Sequence, residues 1–371
     1  MIVTFGITLV IIALIIICVT LLRILLQASV ARKRRLSGPR YVDELAFWNV
    51  RGVRQAVQIR GTDTGNPVLL YLHGGPGWPM MPRAHEFQRA WETMFTVVQW
   101  DQRLGGKTLA QSGIGEEAPT IDGFVADGLD LVAQLQARFP GVPIILMGHS
   151  WGTVMGIEMV RRAPDCFAAY VAIGQVSNFM KSERYGYETV LKEAKRRNAR
   201  KIVEALAAIP DYGQAPLVPG ELVAVRKAYA KLGFANRAAR HGLLIDMLQG
   251  AFRSPDYRWR DLTALVNMAA QTKAFGMSLA ELPQFSARTE GTRINCPIIM
   301  VGGQYDLFTP TPTARAYFDT LDAPQKEFIE VDDLAHGGPL EKPAFFEELL
   351  RTRVRPLVDH VARAKQSPSH S

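Results

Sequence analysis

Hydrophobic and polar positions alternate in three different ways along this chain. From Ile2 to Leu22 there are 21 consecutive uncharged, mostly apolar residues. As a helix rising about 1.5 Å per residue they span about 31 Å, close to the hydrocarbon thickness of a bilayer. From Tyr41 onward, short apolar runs alternate with amphipathic stretches. Pro67–Leu72, Thr96–Trp100, Pro143–Met147 and Pro297–Val301 are the apolar runs, and Glu327–Val331 alternates as an edge strand does. Between the second and third runs, Val125, Leu129, Val132, Leu135 and Phe139 recur at helical spacing. Strands this continuously hydrophobic are buried on both faces, so the pattern predicts an α/β protein with a mostly parallel sheet covered by helices. From about Gln175 to Arg288 the chain is rich in Ala, Lys, Arg and Glu at helical spacing and is broken by Pro210, Pro216, Pro219 and Gly220. This third regime reads as a helical cap.

The predicted organisation is therefore a transmembrane anchor over 1–30, a basic juxtamembrane linker over 31–44, a sheet-containing core over 45–174 and 289–365, and a cap over 175–288. The tail Gln366–Ser371 is expected to be disordered.

Charge sharpens the reading of the first segment. The formal net charge is +8, but Arg23, Arg32, Lys33, Arg34, Arg35 and Arg40 carry six of those charges in a stretch without an acid. What remains is too small and scattered for a phosphate-binding face, and no nucleic-acid partner is expected. A basic flank after an apolar span stays on the cytoplasmic side, predicting a single-pass membrane protein with a cytoplasmic catalytic portion. Ser29-Val30-Ala31 offers a signal-peptidase pattern as the competing reading. Against it stand an apolar run longer than the usual ~7–15 residues and the lack of a basic residue before it. The three cysteines include no C-x-x-C pair, and no Cys/His cluster has zinc-like spacing. Neither a metal nor a cofactor is expected.

The chemistry centres on Gly148-His149-Ser150-Trp151-Gly152, which follows an apolar run and precedes a helix expected to start near Thr153. In G-x-S-x-G the chain turns sharply from strand into helix, and the flanking glycines relieve crowding that a side chain would create. Ser150 is then exposed on the turn as a nucleophile. A serine hydroxyl needs a base, and seven histidines are available. His73 lies in a glycine-rich loop, His149 points elsewhere on the turn, His85 and His241 fall before or within helical segments, and His360 and His370 belong to the C-terminal helix and tail. His336 remains, just beyond the last strand. Asp306 follows the strand before it. The order Ser, Asp, His is that of α/β-hydrolases. Ser150 would attack an acyl carbon, His336 would take and return the proton, and Asp306 would hold the imidazole tautomer. The oxyanion hole would pair the N–H of Trp151 with one from His73-Gly74-Gly75-Pro76-Gly77, with Gly75 preferred over Gly74.

Four motifs together resemble the proline iminopeptidase branch of the α/β-hydrolases. They are His73-Gly74-Gly75-Pro76-Gly77, Trp100-Asp101-Gln102-Arg103, Gly148-His149-Ser150-Trp151-Gly152 and Gly303-Gln304-Tyr305-Asp306. The likeness runs from about residue 45 to 355. It implies an α/β-hydrolase fold with a helical cap and an aminopeptidase activity. The family loop Asp-Gln-Arg-Gly-x-Gly-x-Ser departs here to Leu104 and Thr108. The Trp-Glu pairs of bacterial proline iminopeptidase caps are missing, Trp259 being the only cap tryptophan.

An aminopeptidase must anchor a free α-amine on a carboxylate. Glu183, Glu188, Glu193 and Glu204 are available, interspersed with Lys and Arg as on a solvated helix. Glu188 is the candidate substrate contact, for its neighbours Tyr185 and Tyr187. An esterase acting on lipophilic esters is the alternative, and a non-catalytic ligand sensor a third reading. The expected partners are a small peptide or ester and, through the N-terminal helix, a membrane.

Overall fold

The computed structural model describes residues 2–115, 120–214, 216–288 and 291–359. His360, His370 and the tail Gln366–Ser371 lie outside them. Eight strands form one sheet: β1 (Val42–Val50), β2 (Val53–Gly61), β3 (Val68–Leu72), β4 (Thr96–Asp101), β5 (Ile144–His149), β6 (Ala169–Ile173), β7 (Ile298–Gly303) and β8 (Lys326–Val331). Their order is β1-β2-β4-β3-β5-β6-β7-β8. The first two strands join antiparallel, and every pairing from β4–β3 to β7–β8 is parallel.

Period-2 alternation explains why the central strands are apolar throughout. In β3, Val68, Leu70 and Leu72 enter one core with Ile144 and Leu146 of β5, while Leu69 and Tyr71 enter the other with Ile145 and Met147. Helices α3 (Ile121–Arg138) and α4 (Trp151–Arg162) cover the first face. The second is closed by 3-10 turns over Met81–Thr93 and by α12 (Pro343–Leu349). The core helix expected from Val125 begins four residues earlier, where the Thr120 hydroxyl accepts from the Gly123 N–H as an N-cap. The remaining helices are α1 (Ile2–Lys33), α2 (Gly106–Ser112), α5 (Phe179–Arg196), α6 (Arg200–Ala207), α7 (Pro219–Leu232), α8 (Leu243–Arg253), α9 (Trp259–Leu265), α10 (Met268–Glu281) and α11 (Thr311–Phe318). Helices α5 to α10 all lie between β6 and β7, so the chain leaves the sheet once for a helical excursion and returns to it.

The N-terminal segment departs from expectation. Helix α1 passes residue 30, where the anchor was expected to end, and continues to Lys33, and β1 begins at Val42, so residues 31–44 are not a free linker. The reason is a docking face. Arg23 donates to the carbonyls of Phe252 and Tyr257, Gln27 to those of Ser254 and Tyr257, and Arg34 pairs with Asp256. These residues lie four and seven positions apart, on one stripe of the helix and the turn that follows it. Residues 4–19 are exposed. Among the described residues this is one helix long and apolar enough to cross a membrane.

Candidate active site

Ser150 sits between β5 and α4 with φ +54° and ψ −120°, a conformation uncommon for a non-glycine residue. Helix α4 starts at Trp151 rather than Thr153, because Ser150 itself takes the N-cap position. Gly148 and Gly152 leave no room for a side chain. A Cβ on Gly152 would lie 2.1 Å from the Leu72 carbonyl oxygen, and one on Gly148 would lie 2.6 Å from that of Gly152.

The structure brings Ser150, Asp306 and His336 together at the C-terminal ends of β5, β7 and β8. His336 Nε2 is 2.8 Å from Ser150 Oγ, and its Nδ1 is 2.8 Å from Asp306 Oδ2. The arrangement suits an imidazole whose Nδ1–H donates to the carboxylate and whose Nε2 accepts the serine proton. Asp306 is buried and well supplied with donors: the Phe308 and Thr309 N–H groups reach Oδ1 at 2.9 Å, and the Thr309 hydroxyl reaches Oδ2 at 2.6 Å. Burial alone would raise its pKa. The facing His336, the Thr309 hydroxyl and the backbone donor outweigh burial and hold it below the ordinary carboxylate value.

Three supporting residues escaped the sequence reading. His149 is not idle: its Nε2 lies 2.9 Å from the His336 carbonyl oxygen, tying the His336 backbone to the end of β5. Phe308 stacks on the His336 ring at 4.5 Å between centroids and 12° between planes. Glu341 accepts from the Ala335 and Gly337 N–H groups on either side of His336. No local pattern announces such contacts, because His149 and His336 are 187 residues apart.

Gly74 and Gly75 line the same cavity as Ser150. Gly75 has φ +124°, and a Cβ on Gly74 would lie 3.4 Å from that of Ser150. Trp151, as the first residue of α4, has a backbone N–H without an intrahelical acceptor. Its indole donates to the Gln102 side chain at 3.1 Å, and the Gln102 N–H donates to His73 Nε2 at 3.2 Å. The departures in the next loop are accommodated. Leu104 adopts φ +63° and is buried, and the Thr108 hydroxyl accepts from the Ala56 N–H at 2.8 Å while donating to the Asp101 carbonyl. Leu104→Gly would relieve about 1–2 kcal/mol of left-handed strain but lose about 2–3 kcal/mol of leucine burial. A small net loss of stability is expected, measurable as a lower urea midpoint.

Burial lowers the pKa of His73 to about 4, partly opposed by its bond to the Gly74 carbonyl, and that of His149 to about 3. Both are neutral in the folded state, whereas the unfolded chain protonates them near 6.5. Stability is therefore full above pH 6.5 and falls as the pH drops from there toward the folded values. The slope is up to about 1.4 kcal/mol per pH unit for each histidine. Urea midpoints at pH 7 and pH 5 check this, and equal midpoints would remove the argument.

The cavity has a volume of about 310 Å³. Its walls are mostly apolar, among them Trp78, Met80, Leu243, Ala274, Phe275, Phe308 and Leu340. Polar groups come from Asn236, Gln271, Ser278 and Arg83, the last paired with Glu86. Among the described residues no carboxylate lines it. Glu188 is a correction to the sequence expectation: its side chain is 61% exposed and pairs with Arg184, outside the cavity. Glu183 is buried but committed to Arg226 and the Tyr212 hydroxyl. Glu193 pairs with Arg196 and Arg197, and Glu204 is exposed.

Comparison with known proteins agrees with this architecture. The model described as "Alpha/beta hydrolase family" matches residues 69–349. The "Probable aminopeptidase YbaC" of Bacillus subtilis (strain 168) is 29% identical over 312 residues, covering 83% of this chain and 95% of that protein. Among solved structures, proline iminopeptidase from Mycobacterium smegmatis superposes with a TM-score of 0.61 at 19% identity, covering 87% of this chain and all of the other. A "membrane phospholipase A, a novel bacterial virulence factor" gives 0.62 at 17% identity, covering 96% and 98%. At these identities the two structures support the fold alone.

Proposed function

Because the chain belongs to the alpha/beta hydrolase family, we propose that it is a serine hydrolase working through an acyl-enzyme. One observation carries this reading: the continuous 2.8 Å contacts from Ser150 Oγ to His336 to Asp306. Ser150 attacks the acyl carbon as His336 Nε2 takes its proton. The imidazolium, stabilised by Asp306, then protonates the leaving group, and water repeats the sequence to release the acid. The N–H groups of Trp151 and Gly75 are the proposed oxyanion donors. A fluorophosphonate probe should form an adduct on Ser150. A protein that stays unlabelled would favour the non-catalytic sensor.

For the substrate, the walls favour an apolar acyl group carried on an ester. Among the described residues no carboxylate lines the cavity to hold an α-amine. The aminopeptidase reading is kept as second, on the strength of the B. subtilis relative's name and coverage. A panel of p-nitrophenyl esters beside prolyl- and alanyl-naphthylamides separates them, and higher kcat/KM on the esters is expected. Glu188→Gln should leave KM for either class unchanged, since an exposed pair of this kind is worth only about 0–1 kcal/mol and lies outside the cavity.

Helix α1 is proposed as a retained membrane anchor, with the hydrolase portion on the cytoplasmic side of its basic flank. Cleavage after Ala31 would remove Arg23 and Gln27 from carbonyls they occupy. Intact mass of the purified protein tests retention.

A further inference from the structure

The apolar run of α1 ends at Leu22, and its first buried contact with the hydrolase portion is the next residue. The Arg23 guanidinium donates to the Tyr257 carbonyl at 2.7 Å and lies 4.3 Å from the centroid of the Trp259 ring. No spacer separates span from domain. With Ile2–Leu22 filling the hydrocarbon layer, the end of α8 and the start of α9 are held at the height of the lipid headgroups. Trp259 is nevertheless 47% exposed, as suits an indole in the interfacial belt.

Helix α8 leads from this boundary to the active site. Its C-terminal end, at Phe252, touches Arg23; its first residue, Leu243, lines the cavity of Ser150. Nine positions of helix separate Phe252 from Leu243 by about 14 Å, less than the length of one extended acyl chain. The first turn is apolar on all sides until Asp246: Leu243, Leu244 and Ile245 are 41%, 47% and 50% exposed. A soluble surface seldom shows three consecutive aliphatic residues at a pocket mouth. Arg240 precedes this turn, and the exposed Arg253, Arg258 and Arg260 follow at the end of α8 and the start of α9, a sign that complements anionic headgroups rather than another basic surface.

We infer that the α8–α9 face rests on the bilayer that α1 spans, and that the Leu243–Ile245 turn admits the acyl chain of a membrane-borne ester to Ser150. This inference rests on the serine-hydrolase and anchor readings above and adds the substrate's physical state. The occupant of the face is lipid; a second protein copy or a peptide is the alternative the test exposes.

Full-length protein is reconstituted into phosphatidylcholine–phosphatidylglycerol vesicles and assayed on a fluorogenic diacyl ester within the bilayer and on water-soluble p-nitrophenyl butyrate. Leu244→Asp combined with Ile245→Asp, leaving Leu243 intact, should lower turnover of the bilayer ester about tenfold and leave the soluble ester within about twofold. Bromolipid quenching, read as the difference between native protein and Trp259→Phe, should show Trp259 in contact with lipid. Unchanged turnover of the bilayer ester in the variant overturns the inference, as does a Trp259 signal untouched by bromolipid. Absence of soluble-ester hydrolysis in the native protein, with fluorophosphonate labelling intact, would remove the ester reading on which this inference rests. If the aspartate pair prevents folding, Leu244→Ser with Ile245→Ser reads the same comparison.

Discussion

Ser150→Ala is expected to lower kcat about 10⁶-fold, the size of loss seen when a serine nucleophile is removed from a complete triad. The fold should hardly notice. The left-handed φ belongs to the backbone and is the same for alanine, and the hydroxyl's one described side-chain partner is His336. Ser150→Gly is a useful companion. It should be equally inactive but more stable by up to about 1 kcal/mol, since glycine adopts φ +54° without strain. Steady-state rates with thermal melts check both. An alanine variant retaining a tenth of the activity would show that the nucleophile lies elsewhere.

Asp306→Asn is the second large effect, an expected fall in kcat of about 10⁴-fold. The amide is isosteric, and its oxygen can still accept from the Phe308 and Thr309 N–H groups that hold Oδ1. The NH₂ group then faces His336 Nδ1 and favours the tautomer with its proton on Nε2, where it can no longer take one from Ser150. Fluorophosphonate labelling should become slow rather than absent, which separates this variant from Ser150→Ala. The pH sign follows from the depressed pKa of Asp306. Its ionised-state contribution to stability is present above the unfolded value and is lost only as pH falls through the lower folded one. Acid titration should therefore weaken the histidine-dependent stability first and the Asp306 contribution later.

The sheet and the convergence at Ser150 were legible because both rest on local pattern. Apolar runs at β3, β4, β5 and β7 mark strands buried on both faces, and residues at the carboxyl ends of such strands meet on one side of the sheet whatever the loops between them. Glu188 was misplaced for a reason of helical phase. In α5 the buried positions include Glu183, Gly186, Tyr187 and Val190; Glu188 is one residue past Tyr187, about 100° around the helix. The charge pattern marked a solvated face but not which carboxylates occupied it. The continuation of α1 was visible in principle, since Arg23, Gln27 and Arg34 share a stripe, yet their acceptors, backbone carbonyls for the first two and the Asp256 carboxylate for the third, are more than 220 residues away. Contacts of that range leave no trace in the spacing of neighbours.

Phe308 gives the base a mechanical interlock with the helical excursion. Its ring lies flat on His336 and also meets Arg226 and Tyr229, both from α7. The ring that stacks on His336 is thus held by α7 rather than by the strand that precedes Asp306. Through that one ring, a change in α7 would be felt at the imidazole 4.5 Å away.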